Sequence, residues 1–470
     1  MERRKYRTLI GMKHFDAIII GSGQAGTPLA KKLAKAGMQT AIIEKRWIGG
    51  TCINDGCSPT KAMIASARMA ATSRKSSALG INIQNISVDL PAIVERKNLI
   101  VAHFRNGAQE GLEKMDNLEI IFGIAQFTGL KTLSVEMEDG GKEELMADLI
   151  FINTGASPTI PPIPGAGDIP YLTSTTILDL TVIPEHLLIV GGGYIGLELG
   201  QMFNRFGSKI TLLETNEIFL KREDRDIANC LSAILQDEGM TIHCKALATK
   251  FEQSDKQIKA HVTIDGNPTE INCSHVLLAA GRTPQTSYLQ LQKTGVEVTD
   301  KGFIKVNDQL ETSQPGVYAL GDVKGGPAFT HISYNDHLVV YKNIVKKAGI
   351  TFKNRMVPYC MFTDPQLGRI GLTEDEAKKQ GLNYKVASLD MKYIARGIET
   401  GETLGLMKAV VDADTKQILG AAIIGEQGGE VMSVLQMAMM GNITYEQLRE
   451  NIFAHPLYSE SINNLFMKLD

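Results

Sequence analysis

One arrangement of strand, glycine-rich turn, helix and strand occurs twice in this chain, and it constrains the fold more than any other feature. The first copy consists of the apolar strand 15–20, the turn 21–26, the helical stretch 27–36 and the strand 40–43, which ends at Glu44. The second copy consists of the strand 186–190, the turn 191–196, a helix that continues to Phe206, and the strand 209–213, which ends at Glu214. In both copies the acid follows the first glycine by 23 positions, at 21 and 44 or at 191 and 214. The repeat predicts two Rossmann-like units.

Each part of the repeat has a physical task in binding a dinucleotide. Glycines let the backbone approach a pyrophosphate, the helix N-terminus supplies unpaired N–H groups and positive potential, and the acid accepts both ribose hydroxyls. One such turn is weak evidence, but two copies with equal spacing predict two dinucleotide sites. The predicted contacts are Gly21, Gly23, Gly26 and Glu44 in the first site and Gly191, Gly193, Gly196 and Glu214 in the second.

Two bound dinucleotides indicate two partners in one electron transfer. Because Glu214 would repel a 2'-phosphate and bond to free hydroxyls, the second site is expected to prefer NAD(H), with NADP(H) as the alternative. Lys221 and Arg222 follow Glu214 closely in sequence. They belong either to a solvated charged loop or to a group that turns toward a phosphate.

Composition excludes several other classes of protein. A chain of 470 residues has room for roughly three domains. No apolar run approaches the roughly 20 residues that cross a bilayer, and the net charge of -3 argues against a nucleic-acid partner. Six cysteines are too sparse for a secreted disulfide scaffold, and the basic start, residues 1–13, lacks the apolar core of a secretory signal. We therefore expect a cytoplasmic protein with a short solvated extension.

Cys52 and Cys57 form a close pair, whereas the other four cysteines stand alone. Glycines surround the pair and a helical stretch follows Pro59, so the two thiols are expected at or near a helix start. A helix N-terminus stabilises a thiolate and lowers the pKa of a cysteine from about 8.5. The alternatives are two buried structural cysteines or half of a metal site. No second cysteine or histidine cluster has ligand spacing, so no metal site is predicted.

The segment from Gly50 to Lys61 resembles the active-site motif of the pyridine nucleotide-disulfide oxidoreductases, the family of dihydrolipoamide dehydrogenase, glutathione reductase and mercuric reductase. Four further motifs support the resemblance in the family's order: TGASP at 154–158, GGGYIGLELG at 191–200, YALGDV at 318–323 and HPLYSE at 455–460. The resemblance covers nearly the whole chain. It implies an enzyme that passes electrons between a nicotinamide, FAD and a redox-active disulfide of Cys52 and Cys57.

The resemblance also implies roles for single residues. Cys57 would be the thiol beside the flavin that forms the charge-transfer complex, and Cys52 the interchange thiol that meets the substrate. Lys61 would lie near flavin N5 and pair with Glu198, unless the two are an unrelated surface lysine and helix acid. Further FAD contacts would be Gly50, Thr51, Thr154, Gly155, Gly321 and Asp322, and further NAD(P) contacts would be Tyr194 and Gly281. Tyr194 would either cover the flavin or pack as a core aromatic residue.

His455 and Glu460 would act at the interchange thiol. The resemblance implies that His455 is the general base and that Glu460 holds its tautomer. In the family this pair reaches the active site from the other subunit. An obligate homodimer is therefore expected.

The implied fold class is α/β, with two Rossmann-like dinucleotide-binding domains and a C-terminal α+β dimerisation domain. The expected domains are FAD-binding at 14–153, NAD(P)-binding at 154–281, a return to the flavin domain at 282–350, and dimerisation at 351–470. Proline and glycine at 154–165 and a break at 281–287 independently mark two of these joints.

The substrate is the least constrained part of the prediction. His455 and Glu460 favour a small disulfide or dithiol, as in dihydrolipoamide dehydrogenase, although Asp55 and Ser58 replace apolar residues usual there. Asp55 is expected either to oppose thiolate formation or to acidify the pocket. The alternative substrate is a metal ion, as in mercuric reductase, although the metal-binding module and terminal cysteine pair of full-length mercuric reductases have no counterpart in this sequence. A redox-sensing or inactive flavoprotein is the alternative of another class.

Overall fold

A computed structural model describes residues 8–9, 12–255 and 257–469. The basic residues of the predicted extension, at positions 3, 4, 5 and 7, lie outside this description. The chain divides into two compact units. The first comprises the segments up to Ala62, Glu95–Thr159 and Arg282–Arg355, and the second comprises Met63–Val94, Ile160–Gly281 and the segment from Met356 onward. The limits of the four domains predicted from the sequence stay predictions.

The strands are numbered in chain order. Those of the N-terminal third are β1 (Thr8–Leu9), β2 (Met12–Ile20), β3 (Thr40–Glu44), β4 (Leu118–Phe122), β5 (Ile124–Phe127), β6 (Thr132–Glu136), β7 (Lys142–Ile152) and β8 (Ala156–Pro158). The central strands are β9 (His186–Val190), β10 (Lys209–Leu213), β11 (Thr241–His243), β12 (Ala246–Ser254), β13 (Gln257–Ile264), β14 (Asn267–Cys273), β15 (His275–Leu278), β16 (Arg282–Pro284) and β17 (Val317–Ala319). The C-terminal strands are β18 (Tyr359–Met361), β19 (Gln366–Gly371), β20 (Tyr384–Asp390), β21 (Leu406–Asp412) and β22 (Ile418–Gly425).

The α-helices are numbered in the same way, and short 3-10 turns connect several of them. They are α1 (Gly26–Lys35), α2 (Gly50–Asn54), α3 (Cys57–Lys75), α4 (Leu90–Glu113), α5 (Tyr194–Phe206), α6 (Arg225–Asp237), α7 (Thr330–Lys346), α8 (Glu374–Lys379), α9 (Ala395–Thr400), α10 (Gly428–Met440), α11 (Tyr445–Glu450) and α12 (Ser461–Phe466). Helices α10 and α11 lie in the region expected to form the C-terminal α+β domain. Within the described ranges, no helix combines the length and apolar content needed to cross a membrane.

The first unit contains a mixed sheet in the order β4-β3-β2-β7-β6-β5, with β17 paired to β7 and β1 to β2. Strands β2, β3, β4, β7 and β17 run parallel, and β5, β6 and β7 run antiparallel. Every residue of β3 is buried, as expected of a parallel strand covered on both faces. The carboxyl ends of β2, β3, β7 and β17 therefore meet along one edge of the sheet.

The second unit contains a parallel sheet in the order β11-β10-β9-β15 and an antiparallel sheet β12-β13-β14. Its C-terminal part is a five-stranded antiparallel sheet, β18-β19-β22-β21-β20, whose core includes Leu435, Tyr445 and Phe466 from three helices. The mixed sheet of the first unit, the parallel sheet of the second and the C-terminal antiparallel sheet confirm the predicted α/β class with its α+β C-terminal part.

Candidate active site

Four of the predicted FAD contacts lie at the carboxyl edge of the first sheet. Gly21 follows β2, Glu44 ends β3, Thr154 comes two residues after β7, and Gly321 comes two residues after β17. In open α/β sheets, ligands bind at this edge because the strands present their loops and helix N-termini there. The order β3-β2-β7-β17 brings the loops together, although they are spread over 300 residues of sequence.

The first glycine turn is packed too closely for larger residues. Gly21 has φ +101°, and a Cβ there would overlap the Asn153 carbonyl oxygen. A Cβ on Gly50, at φ +64°, would lie 2.6 Å from Cα of Gly23. The turn and the segment that carries the cysteines are therefore in backbone contact. The Asn153 side chain also donates a hydrogen bond to the Gly21 carbonyl oxygen at 3.2 Å, a role that the sequence analysis missed.

Glu44 braces this turn from the end of β3. Its Oε2 accepts hydrogen bonds from the backbone N–H of Ser22 at 3.0 Å and from the Ser22 hydroxyl at 2.7 Å. Its Oε1 accepts the backbone N–H of Arg46 at 3.0 Å. The fully buried Ser22 hydroxyl in turn accepts the N–H of Gly49, which leads into the cysteine segment. Ser22 is thus a second residue that the sequence analysis missed.

Glu214 has the equivalent contacts in the second unit. Its Oε2 accepts the N–H of Gly192 at 3.1 Å, and its Oε1 accepts the N–H of Asn216 at 2.7 Å. The Asn216 side-chain oxygen accepts a hydrogen bond from Lys221 Nζ at 2.9 Å. Lys221 therefore contacts a neutral amide, and the two predicted alternatives for Lys221 and Arg222 stay predictions.

The remaining contacts predicted in the second unit lie around the turn after β9. Gly191 has φ +116°, and a Cβ there would lie 2.5 Å from the Ala279 carbonyl oxygen, whereas a Cβ on Gly193 would meet open space. A Cβ on Gly196 would overlap the Gly191 carbonyl oxygen. Tyr194 begins α5 and is half-buried against the core of this unit. Gly281 follows β15 at the same carboxyl edge.

The residues near the carboxyl ends of β7 and β17 fit an FAD molecule. The Thr154 hydroxyl is buried and has no hydrogen-bond partner within the described residues. Gly155, at φ +69°, has nothing within 4 Å of a built Cβ. Burial raises the pKa of Asp322, and Arg282, whose Nε lies 3.8 Å from the Asp322 carboxylate, opposes that shift. An orphaned hydroxyl, open space and a half-buried acid beside a glycine turn are what a flavin nucleotide with its ribityl hydroxyls requires.

The cysteines occupy two consecutive helices, with a break at Asp55 and Gly56. Cys52 lies in the short α2, and Cys57 is the first residue of α3, as the helix-start prediction requires. Both are thiols in the structure. A hydrogen bond with Cys57 and the burial of Cys52 raise the pKa of the Cys52 thiol. The Cys57 sulfur lies 3.2 Å from the hydroxyl oxygen of Thr330.

Asp55 does not act as an isolated charge between the cysteines. Its carboxylate forms an ion pair with the guanidinium of Arg46. The guanidinium places a compensating positive charge beside the carboxylate. Both expectations for Asp55, opposition to thiolate formation and acidification of the pocket, stay predictions.

His455 and Glu460 lie in the second unit and contact each other. The two Glu460 oxygens are 2.9 and 3.0 Å from Nδ1 of His455. A carboxylate only accepts hydrogen bonds, so Nδ1 is the donor of this contact, and Nε2 is the acceptor of a ring that carries a single proton. The histidine side chain is 65% exposed.

Lys61 and Glu198 belong to different units. Lys61 is half-buried at the first turns of α3, and Glu198 is buried in α5, where its carboxylate accepts the N–H of Phe362 at 2.9 Å. The predicted ion pair between them stays a prediction. Among the described residues, no group of three or more histidine, cysteine, aspartate or glutamate side chains could hold a metal ion.

Comparisons with known proteins agree with this geometry. The pyridine nucleotide-disulphide oxidoreductase family matches residues 15–336, and the dimerisation domain of the same family matches residues 357–466. The probable pyridine nucleotide-disulfide oxidoreductase RclA of Escherichia coli is 37% identical and covers 97% of this chain and 99% of its own. A solved structure, the Cu(II) complex of the HOCl-induced flavoprotein disulfide reductase RclA, superposes with a TM-score of 0.90 at 36% identity and covers 98% of this chain and 100% of its own.

Relatives with other names are nearly as similar. A mercuric reductase of Lysinibacillus sphaericus is 34% identical over 98% of this chain and 84% of its own. A dihydrolipoyl dehydrogenase of Thermus scotoductus is 34% identical over 96% of both chains. With both family regions matched in order along nearly its whole length, this chain belongs to the pyridine nucleotide-disulphide oxidoreductase family of FAD-dependent enzymes.

Proposed function

We propose that the enzyme carries electrons from NADH through FAD to the Cys52–Cys57 pair, and that the reduced pair then reduces a small disulfide. In the reverse direction, a small dithiol would reduce the Cys52–Cys57 disulfide and the electrons would pass to NAD. The observation that carries this proposal is the thiol pair itself. Cys52 in α2 is hydrogen-bonded to Cys57, the first residue of α3, in the unit whose sheet edge fits FAD. FAD, when bound there, supplies hydride exchange with the nicotinamide and passes an electron pair to or from sulfur.

Four residues of the chain, the two cysteines, His455 and Glu460, have defined parts in this cycle. Reduction of the Cys52–Cys57 disulfide takes up two electrons and two protons and yields two thiols. The Cys52 thiolate then attacks the substrate disulfide, and its sulfur forms a mixed disulfide while one substrate thiolate leaves. Attack by Cys57 on Cys52 restores the internal disulfide and releases the second substrate thiolate. His455, oriented by Glu460, is the acid–base group that exchanges protons with Cys52 and the leaving thiol.

The experiment that tests this cycle is an anaerobic titration of the holoenzyme with NADH. One equivalent should expose two new thiols per chain and produce a long-wavelength absorbance band. Cys57→Ser should abolish the band and the thiols, whereas Cys230→Ser, outside the pair, should leave both unchanged. Flavin bleaching without new thiols would contradict the proposal and favour a redox sensor or an inactive flavoprotein.

We propose a preference for NADH on the basis of Glu214. Its carboxylate is held by two backbone N–H groups, so a negative acceptor is fixed where the adenosine ribose is expected. The contact of Lys221 with Asn216 leaves that lysine directed at an amide. Initial rates with NADH and NADPH at matched concentrations test the preference directly.

A metal ion is the second candidate substrate, and two observations favour it. The solved structure of the Escherichia coli relative is a Cu(II) complex, and several relatives are mercuric reductases. Oxidation of the reduced pair to its disulfide would supply the two electrons that convert two Cu(II) to two Cu(I), or one Hg(II) to elemental mercury. Steady-state assays against lipoamide, glutathione disulfide, Cu(II) and Hg(II) decide between the candidates. Turnover of metal ions alone would overturn the thiol/disulfide proposal.

We also propose that the enzyme is a homodimer. The match of residues 357–466 to the family's dimerisation domain supports this state. His455, on an exposed site of that region, would then serve the cysteine pair of the partner subunit.

A further inference from the structure

Asp336 lies in α7, and its side chain is fully buried in the first unit. A carboxylate in such a place needs cations or N–H donors around it, because it has lost the water that would stabilise its charge. Its Oδ1 accepts a hydrogen bond of 2.6 Å from Nη1 of Arg355. Its Oδ2 accepts the backbone N–H of Gly321 at 2.9 Å and lies 3.4 Å from Nζ of Lys324. Both oxygens of Asp336 are therefore engaged by the protein itself.

The two contacts of Oδ2 come from the two ends of one turn. Gly321 and Lys324 are the first and last residues of a 3-10 turn that follows β17 at the carboxyl edge of the sheet. Gly321 has φ +71°, and a Cβ there would lie 2.9 Å from the hydroxyl oxygen of Ser333, which is also in α7. The turn is thus fastened to α7 at both ends, and Asp322 lies between them.

The influence of Asp336 on Asp322 is geometric rather than electrostatic. Burial raises the pKa of Asp322, and the cations Arg282 and Lys324 oppose that shift. The negative charge of Asp336 adds to the rise, so it does not help Asp322 to ionise. What Asp336 supplies is a fixed backbone position for the turn that carries Asp322.

We propose that Asp336 is a positioning residue for FAD. By binding both ends of the turn Gly321–Lys324, it holds Asp322 where that carboxylate can accept a hydroxyl of the ribityl chain. This inference rests on the proposed function, because Asp322 is the FAD contact expected there. It assigns a part in cofactor binding to a buried residue whose own oxygens are both occupied.

Asp336→Asn tests the proposal because the side chains have nearly the same shape, but the amide has only one acceptor oxygen. Whichever way the amide lies, either Arg355 or the turn faces an NH2 group. The loosened turn must then be ordered when FAD binds, so the affinity for FAD should fall about 10- to 100-fold. Flavin fluorescence during titration of the full-length, flavin-free chain with FAD measures this affinity.

ADP separates a local effect from a general one. It corresponds to the adenosine end of FAD alone, which is expected at the Gly21 turn and Glu44. Its inhibition constant for displacing FAD, followed by the same flavin fluorescence, should be unchanged in Asp336→Asn. Asp308→Asn is the matched control, since it removes a carboxylate from an exposed ion pair with Lys353 in the same unit, and it should leave both constants unchanged.

A second variant keeps the test decisive if Asp336→Asn does not fold. Lys324→Met removes only one of the two contacts between the turn and Asp336, and it should weaken FAD binding about fivefold without affecting ADP. Unchanged FAD affinity in the folded variants would overturn the proposal. Equal losses of FAD and ADP affinity would also overturn it, because they would indicate a general defect of the fold.

Failure of this inference is distinguishable from failure of the proposed function. If NADH exposes no new thiols in the unmodified holoenzyme while Asp336→Asn still loses affinity for FAD alone, the proposed function fails and the role of Asp336 stands. Normal reduction of the cysteine pair by NADH, with unchanged FAD affinity in Asp336→Asn, would mean the reverse.

Discussion

The side-chain oxygen of Asn54 accepts a hydrogen bond of 2.7 Å from Nε of Arg105, and this contact ties α4 to the segment that carries Cys52. The Asn54 amide also donates to the carbonyl oxygens of Ile48 at 3.1 Å and Gly50 at 3.0 Å. The Arg105 guanidinium lies over the ring of Trp47, 4.3 Å from its centroid. The cysteine segment is thus held from both ends by one arginine on a long helix.

Removal of this arginine should loosen the segment. Arg105→Ala deletes one hydrogen bond and one cation–π contact, so we expect the free energy of unfolding to fall by about 1–2 kcal/mol. Trp47 is the single tryptophan of the chain and is already 48% exposed, so its fluorescence emission should shift to longer wavelength. Arg105→Lys keeps the charge without the planar group and should give an intermediate shift. Emission spectra identical to wild type in both variants would contradict this account.

The choice of nicotinamide should depend on Glu214. Glu214→Ala removes the negative charge expected beside the adenosine ribose, so the ratio of kcat/KM for NADPH to that for NADH should rise about tenfold, or 1.4 kcal/mol. Steady-state kinetics with both nucleotides measure this ratio. Glu185→Ala, which removes an exposed acid just before β9, is the matched control and should leave the ratio unchanged. An unchanged ratio of kcat/KM values in Glu214→Ala would mean that Glu214 does not determine the choice between NADH and NADPH.

The imidazole of His455 should lose its fixed tautomer when Glu460 loses its charge. Glu460→Gln can donate as well as accept at Nδ1, so turnover of a disulfide substrate near neutral pH should fall on the order of 10²-fold. Stopped-flow reduction by NADH should be unaffected, because that half of the cycle does not need the histidine. Glu450→Gln, on the nearby α11, is the control. Equal losses in both half-reactions would indicate a structural defect.

A buried ion cluster in the second unit should make the free energy of unfolding depend on pH. Arg369 contacts Glu223 at 3.4 Å and Asp224 at 3.1 Å, and all three side chains are only 4% exposed. Arg369→Met leaves two buried carboxylates without their main cation, so we expect a loss of about 3–5 kcal/mol in the free energy of unfolding at pH 8. Arg396→Met, at an exposed pair with Glu399, should change it by less than about 0.5 kcal/mol.

The sign of the pH effect follows from burial. Burial raises the pKa of Glu223 and of Asp224 in the folded state, and Arg369 opposes the shift. Groups with a raised folded pKa bind protons more tightly when folded, so the stability they contribute is largest below the unfolded pKa and is lost as the pH rises through the folded value. The defect of Arg369→Met should therefore be smaller at pH 5 than at pH 8. Urea unfolding at the two pH values checks this, and a defect that is larger at pH 5 would refute it.

Exposed apolar residues in the C-terminal region should form the contact between subunits. Ile452 is 95% exposed, and Met437, Met440 and Leu457 in the same region are each about half exposed. A charge at Ile452 would be buried on dimerisation, so Ile452→Asp should shift the enzyme toward monomer in light scattering and lower turnover in proportion. Val182→Asp, which changes another exposed aliphatic residue of the second unit, should remain as dimeric as wild type. A wild-type enzyme that is monomeric would refute the proposed dimer.

The sequence was sufficient wherever the relevant contacts are local. The strand, glycine turn and helix of each nucleotide unit lie within about 30 residues, and backbone conformation together with burial pattern determines them. The structure confirms both units, the acids at the ends of β3 and β10, and the position of Cys57 at a helix start. The order of the five motifs along the sequence was likewise sufficient to predict the family.

Tertiary structure alone decided which distant residues complete the sites. Thr330 reaches Cys57 across 273 positions, Asn153 reaches Gly21 across 132, and Arg105 reaches Asn54 across 51. No sequence window contains these pairs, because they are brought together by the order of the strands in the sheet and by the side on which α4 and α7 pack. Asp55 is an example at short range. The sequence does not show that its carboxylate pairs with Arg46, because that contact depends on the direction in which the Arg46 side chain turns. Local conformation follows from the chain itself, whereas the partner of a polar side chain follows from packing.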